Sequence, residues 1–202
     1  MHSNNTGENI VKAFKVVYST LENVQNLIFF LQSKAKEKGD YISCVDGFVR
    51  FSGDTNYFGW AYSSFILIFK QKPDTKAENS GPCCTFYIAE INLHDNNEAL
   101  LTIARFDYDV RIVRGWGSDR FSTGDRWRLF DPLYKDLISY EKDGPYEIGY
   151  VKKENEKKAD KDYWGLRRVT KRSFPLMDIT ADNACDIVFG GFDELAKIEV
   201  QK

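Results

Sequence analysis

GENIVKAFKVVYSTLENVQNLIFFLQSKAKEK, residues 7–38, places an apolar residue at alternating intervals of three and four positions. The seam consists of Ile10, Phe14, Val17, Leu21, Val24, Ile28, Leu31 and Ala35. This spacing predicts one long helix with an apolar stripe. Thr6 is a suitable N-cap, and Gly39 after a lysine-rich last turn is typical of a helix end.

Further apolar residues make this stripe wider than a two-stranded coiled coil requires. They are Val11, Val16, Tyr18, Leu27, Phe29 and Phe30. A wide stripe favours a helix that lies across a sheet. The heptad spacing leaves a homodimer formed through the N-terminal helix as the alternative.

The chain after this helix contains apolar or alternating segments of strand length. They lie at 41–45, 48–51, 65–69, 85–93 and 98–110. Turn residues separate them, as at Asp46-Gly47 and at 94–97, and short turns join antiparallel strands. We therefore expect an α+β fold in a single domain, residues 1–202, with the long helix packed on a mainly antiparallel sheet of about five to seven strands.

Shorter helices are expected in the C-terminal half. Asp131 followed by Pro132 is typical of a helix start, and the predicted helix buries Leu133, Leu137 and Ile138 before it ends at 143–145. Thr180 is the expected cap of a last helix that ends at Gly190-Gly191. Strands are predicted at 146–153, 162–172 and 174–179, with a charged tip at 154–160 joining the first two.

Composition excludes several classes of protein. A hydrophobic fraction of 43% is ample for a packed core. No apolar run reaches the length of a membrane span, and the N-terminus lacks the pattern of a signal peptide, so we expect a cytoplasmic protein that does not enter a membrane. The four cysteines have no zinc-binding spacing. We therefore expect reduced thiols, and no cofactor is implied.

One segment has a composition that suggests a binding site: RIVRGWGSDRFSTGDRWRLF, residues 111–130. Arginine is used six times between 105 and 128 and lysine not at all, although lysine is the commoner cation in the whole chain. Arginine is preferred where a planar fork must hold a carboxylate or phosphate, and tryptophan rings offer stacking faces. The predicted partner site consists of Arg114, Trp116, Arg120, Arg126, Trp127 and Arg128.

This segment predicts a non-enzymatic binding or regulatory protein that recognises an anionic ligand or an acidic partner, either an acidic protein or a nucleic acid. Interleaved aspartates favour a competing interpretation, in which Arg–Asp pairs stabilise the fold. We expect Arg105 and Arg111 to pair with Asp107 and Asp109 in this way.

An enzyme is the alternative functional class. Asp107 and Asp109 form a D-x-D pattern that can hold a divalent metal, as in enzymes acting on nucleotides or phosphodiesters. Glu90, with His94 and Asp95 nearby, is a candidate acid/base group. No nucleophilic triad or phosphate-binding loop is recognisable, so no catalytic or metal-ligating residue is assigned.

Overall fold

The computed structural model describes residues 4–45, 47–50, 63–72, 85–95, 98–112 and 126–198. Its α-helices are α1 (Asn4–Lys38), α2 (Arg126–Tyr134), α3 (Glu156–Asp162) and α4 (Gly191–Lys197). Its strands are β1 (Tyr41–Ser43), β2 (Val49–Arg50), β3 (Ser64–Gln71), β4 (Thr85–Asp95), β5 (Glu98–Tyr108), β6 (Ile138–Asp143), β7 (Tyr146–Val151) and β8 (Leu166–Pro175). Within these residues, no helix combines the length and the apolar character that crossing a membrane requires.

The strands form one antiparallel sheet in the order β1-β3-β4-β5-β8-β7-β6, and β2 also pairs with β3. The described residues form eight strands, one more than expected, because β6 lies where a helix was predicted. The predicted α+β class, long N-terminal helix, antiparallel sheet and shorter C-terminal helices are confirmed.

Both faces of the sheet are covered. On one face, the C-terminal half of α1 and the segment 184–195 bury alternate residues of the central strands, including Leu67, Ala89 and Ile103. On the other face, α2 covers the residues that point the opposite way, among them Ile68 and Ile88. Since side chains alternate along a strand, a strand covered on both faces is apolar throughout, as at residues 65–69.

The predicted helix from Asp131 is wrong in its bounds. The helix begins at Arg126, and both Asp131 and Pro132 lie inside it. Asp131 is buried and accepts a hydrogen bond from the Tyr163 hydroxyl at 3.0 Å, so the carboxylate serves a tertiary contact and not an N-cap. Ile138 begins β6, which pairs with β7 around Gly144, whose φ of +58° suits the turn.

The predicted helix end at Gly190-Gly191 is also wrong. A π-helical turn, Asp186–Gly190, continues directly into α4. A Cβ on Gly191 would overlap the Cδ1 atom of Ile103 in β5, so this glycine allows close approach of helix and sheet. The charged tip predicted at 154–160 contains most of α3. The strand predicted at 174–179 is the end of β8, up to Pro175, followed by a 3₁₀ turn, Leu176–Asp178.

Candidate functional site

Only part of the predicted partner site lies within the residues that the structure describes. Arg114, Trp116 and Arg120 lie outside the described residues. Arg126, Trp127 and Arg128 form the first turn of α2. Residues two apart on a helix do not share a face, so Arg126 and Arg128 point in different directions.

Arg128 lies between two tryptophan rings. Its guanidinium carbon is 4.5 Å from the ring centroid of Trp127 and 4.9 Å from that of Trp164. Its Nη1 atom donates a hydrogen bond to the carbonyl of Asp162 at 2.7 Å. Stacking on an indole face and bonding a carbonyl both fix the planar guanidinium. We call Trp127, Arg128 and Trp164 the tryptophan–arginine surface.

Trp127 and Trp164 differ in how they are held. Trp127 is 37% exposed and packs edge-on against Tyr163, with 5.1 Å between ring centroids. Trp164 has a φ of +54°, a left-handed conformation that is strained for a residue with a side chain. Gly165, which follows it, donates its backbone N–H to the carbonyl of Ala159, and this bond anchors the turn. Sequence reasoning missed Trp164 because it fell inside a predicted strand.

Arg126 points towards the interior. Its guanidinium carbon lies 3.9 Å from the ring centroid of Phe130. Burial lowers the pKa of Arg126, while the nearby carboxyls of Glu90 and Asp131 act in the opposite direction. This arginine therefore belongs to a buried cluster and not to the tryptophan–arginine surface.

The two predicted arginine–aspartate pairs are present. Arg105 Nε lies 2.8 Å from Asp107 Oδ1, and Arg111 Nη2 lies 2.7 Å from Asp109 Oδ2. The hydrogen bonds from Arg111, assisted by the charge of Arg167, hold the pKa of Asp109 well below its usual range. Both carboxylates of the D-x-D pattern thus already carry arginine partners. In the part of the chain that the structure describes, no three His, Cys, Asp or Glu side chains lie close enough to hold a metal ion.

Glu90 lies at the centre of a buried polar cluster between the sheet and α2. Its carboxyl accepts hydrogen bonds from Ser64 Oγ at 2.7 Å and from the Tyr134 hydroxyl at 2.5 Å. Burial raises the pKa of Glu90, against these two hydrogen bonds and the charges of Arg126 and Lys171. The side chains of His94 and Asp95 are outside what the structure describes. The acid/base role of Glu90 stays a prediction.

A second charged cluster lies on the opposite face of the sheet, near the end of α4. Arg105 Nη1 is 3.1–3.4 Å from the carbonyls of Leu195, Ala196 and Ile198. Arg168, whose side chain is 2% exposed, lies 3.9 Å from Asp107. Cations are favourable at the C-terminal end of a helix, where carbonyls lack helical partners. This cluster therefore anchors α4 to β5 and β8.

Comparisons with protein-family models, with curated proteins and with solved structures found no match.

Proposed function

We propose that this chain is a cytoplasmic, non-enzymatic binding or regulatory protein that recognises an anionic ligand or an acidic partner at its arginine- and tryptophan-rich segment. The described contribution to that site is the tryptophan–arginine surface. Arg114, Trp116 and Arg120 are proposed to extend it.

The observation that supports this proposal is the position of the Arg128 guanidinium between two indole rings. A stacked guanidinium loses little further side-chain entropy when an anion binds, because its orientation is already set. Trp127 remains 37% exposed beside it, which leaves an aromatic surface at the same place. An arginine next to an exposed tryptophan is typical of sites where partners bind.

Exposed charges near this surface favour an anionic partner. Arg111 is largely exposed, although it pairs with Asp109. Arg167 is half-buried and contacts Asp109 and Asp160. A phosphate or carboxylate from a partner can compete with Asp160 for Arg167, since both side chains of that pair are partly exposed and exposed ion pairs contribute only about 0–1 kcal/mol.

The proposal is tested by binding of two defined probes, a 20-nucleotide oligo(dT) and a polyglutamate peptide, at two salt concentrations. We expect one of them to bind, and Arg128→Ala to weaken that binding at least about tenfold and to reduce its salt dependence. Trp127→Ala should weaken it as well. The matched control is Lys142→Ala, which removes an exposed cation on β6 outside the tryptophan–arginine surface and should leave affinity unchanged.

Thermal unfolding of each variant shows whether a lost affinity comes from the binding site or from loss of the fold. Arg128→Lys keeps the charge but loses the planar fork, so a binding role predicts weakened affinity in a protein that still folds. Unchanged affinity in Arg128→Ala and Trp127→Ala would contradict the site, as would the absence of binding to both probes.

Stabilisation by Mg²⁺ or Mn²⁺ that Asp109→Ala abolishes would instead favour the metal-dependent enzyme.

A further inference from the structure

The two halves of α1 have different surroundings. Val24, Ile28, Leu31 and Ala35 are buried against the sheet. Nearer the N-terminus, five apolar residues on one side of the helix are 46–68% exposed; we call them the exposed apolar face, and they are Ile10, Val11, Phe14, Val17 and Tyr18. Val16, which is 66% exposed, lies on the opposite side of the helix. Contiguous exposed apolar side chains of this size mark an interaction surface.

We propose that a second copy of this chain covers the exposed apolar face, and that the two α1 helices pair antiparallel around a twofold axis near Phe14. Each helix half, from about residue 7 to residue 21, spans roughly 22 Å at 1.5 Å per residue. In this arrangement the C-terminal half of each apolar stripe contacts its own sheet, and the N-terminal half contacts the partner's helix.

The area available is sufficient for a stable pair. Each of the five side chains exposes roughly 100 Å², given the surface of large apolar residues. Two copies would therefore bury on the order of 1,000 Å² from these side chains alone, which reaches the lower limit of specific interfaces. Burial of that area is favourable through the hydrophobic effect.

The charges of this helix half favour a second copy over an anionic membrane or an anionic partner. Its charged residues are Glu8, Lys12 and Lys15, and Glu22 follows directly, so that two acidic and two basic side chains accompany the face. At 100° per residue they lie together on a side of the helix separate from the exposed apolar face. Two copies therefore do not repel one another. Helices that lie on anionic membranes carry a lysine- and arginine-rich polar face instead.

The position of the sheet determines the orientation of the pair. The sheet of each copy packs on the same stripe that is exposed nearer the N-terminus. A parallel pair would bring both sheets to the same place, whereas an antiparallel pair puts them at opposite ends.

Sedimentation equilibrium of the full chain tests the proposal. We expect a monomer–dimer equilibrium, with a dimer dissociation constant weakened at least about 100-fold by Phe14→Asp combined with Val17→Asp, because each substitution enters the twofold interface twice. Ser19→Asp, on the polar side of the same helix segment, is the matched control and should leave the constant unchanged. Circular dichroism and thermal unfolding verify that each variant folds.

Several results would overturn the proposal. A wild-type chain that stays monomeric at about 100 µM would do so, because a dimer with a dissociation constant below that concentration is populated there. A dimer that survives the double substitution would place the interface elsewhere. A monomeric wild type that sediments with anionic phosphatidylserine vesicles would assign the face to membranes.

Disulfide cross-linking tests the orientation. In an antiparallel pair centred on Phe14, Ile10 of each copy faces Tyr18 of the other, so the double variant Ile10→Cys, Tyr18→Cys should cross-link. Ile10→Cys alone should not, because its two copies lie too far apart along the axis. Cross-linking by Ile10→Cys alone would indicate a parallel pair and overturn the antiparallel arrangement. Cross-linking in neither variant would contradict the register.

Discussion

The buried polar cluster on the α2 face of the sheet centres on one carboxyl, Glu90, with cations nearby. The cluster on the α1 face centres instead on two guanidiniums, Arg105 and Arg168, with Asp107 between them. A carboxyl can lose its charge by binding a proton, and burial raises the pKa of Glu90 accordingly. Arginine cannot be deprotonated in proteins, so its charge must be paired. The same sheet therefore holds an acid on one face with two hydroxyl donors and nearby cations, and holds two arginines on the other with a carboxylate and helix carbonyls.

Asp107→Asn is the change with the largest expected effect. It leaves Arg105 and Arg168 buried without their shared carboxylate, and breaking a buried pair in this way costs about 3–5 kcal/mol of unfolding free energy. Denaturant unfolding at constant pH measures the loss. Asp136→Asn is the control, because Asp136 is an exposed carboxylate paired with Lys152; its effect should stay within about 0.5 kcal/mol. Equal effects of the two substitutions would contradict the anchoring role of Asp107.

Arg168→Met should destabilise the protein less, by about 1–2 kcal/mol. Among the described residues, the Nε and Nη2 atoms of Arg168 have no hydrogen-bond partner. Asp107 would keep its bonds from Arg105 and Thr85. Methionine fills much of the same volume without a charge. A loss as large as that of Asp107→Asn, measured by the same unfolding experiment, would show that the positive charge of Arg168 is essential to the cluster.

Glu90→Gln should have the smallest effect, and its sign should depend on pH. Because the pKa of Glu90 is raised in the folded protein, the folded state binds more protons than the unfolded state above pH 4.5, and wild-type stability falls as pH rises through the folded pKa. The variant cannot lose a proton, so it should lack this decrease. We expect it to be less stable than wild type at pH 4 by about 1 kcal/mol or less, and equal or more stable at pH 8.

Unfolding free energies at pH 4, 6 and 8 measure this difference. Glu98→Gln, an exposed residue of β5, is the control and should keep the wild-type pH dependence. If Glu90→Gln shows the same pH dependence as wild type, folding does not shift the pKa of Glu90, and the contrast between the two faces is removed.

Local sequence patterns predicted the elements whose causes are local. The heptad spacing of residues 7–38 predicted α1, and the apolar run at 65–69 predicted a central strand covered on both faces. The pairs formed by Arg105 and Arg111 were predictable because each partner lies two residues away. The partners of Glu90 were not, since Ser64 lies on another strand and Tyr134 on α2.

Two of the wrong element bounds have the same origin. Asp131-Pro132 and Gly190-Gly191 have the local features of a helix start and a helix end. Their actual roles depend on residues far along the chain, Tyr163 for the carboxylate of Asp131 and Ile103 for Gly191. A capping preference and a tertiary contact contribute similar free energies, about 1 kcal/mol each. A tertiary contact can therefore decide where a helix begins or ends.

The sequence alone determined the α+β class, the long helix and the antiparallel strands, since backbone periodicity and turn chemistry act over a few residues. Tertiary structure decided which half of α1 is buried, because a heptad stripe does not specify what covers it. It also decided that Trp164 joins Trp127 around Arg128, and that Arg126 points towards Glu90 instead. Those contacts depend on how α2, the sheet and the turn before β8 pack together, and packing of distant segments leaves no periodic pattern in a single sequence.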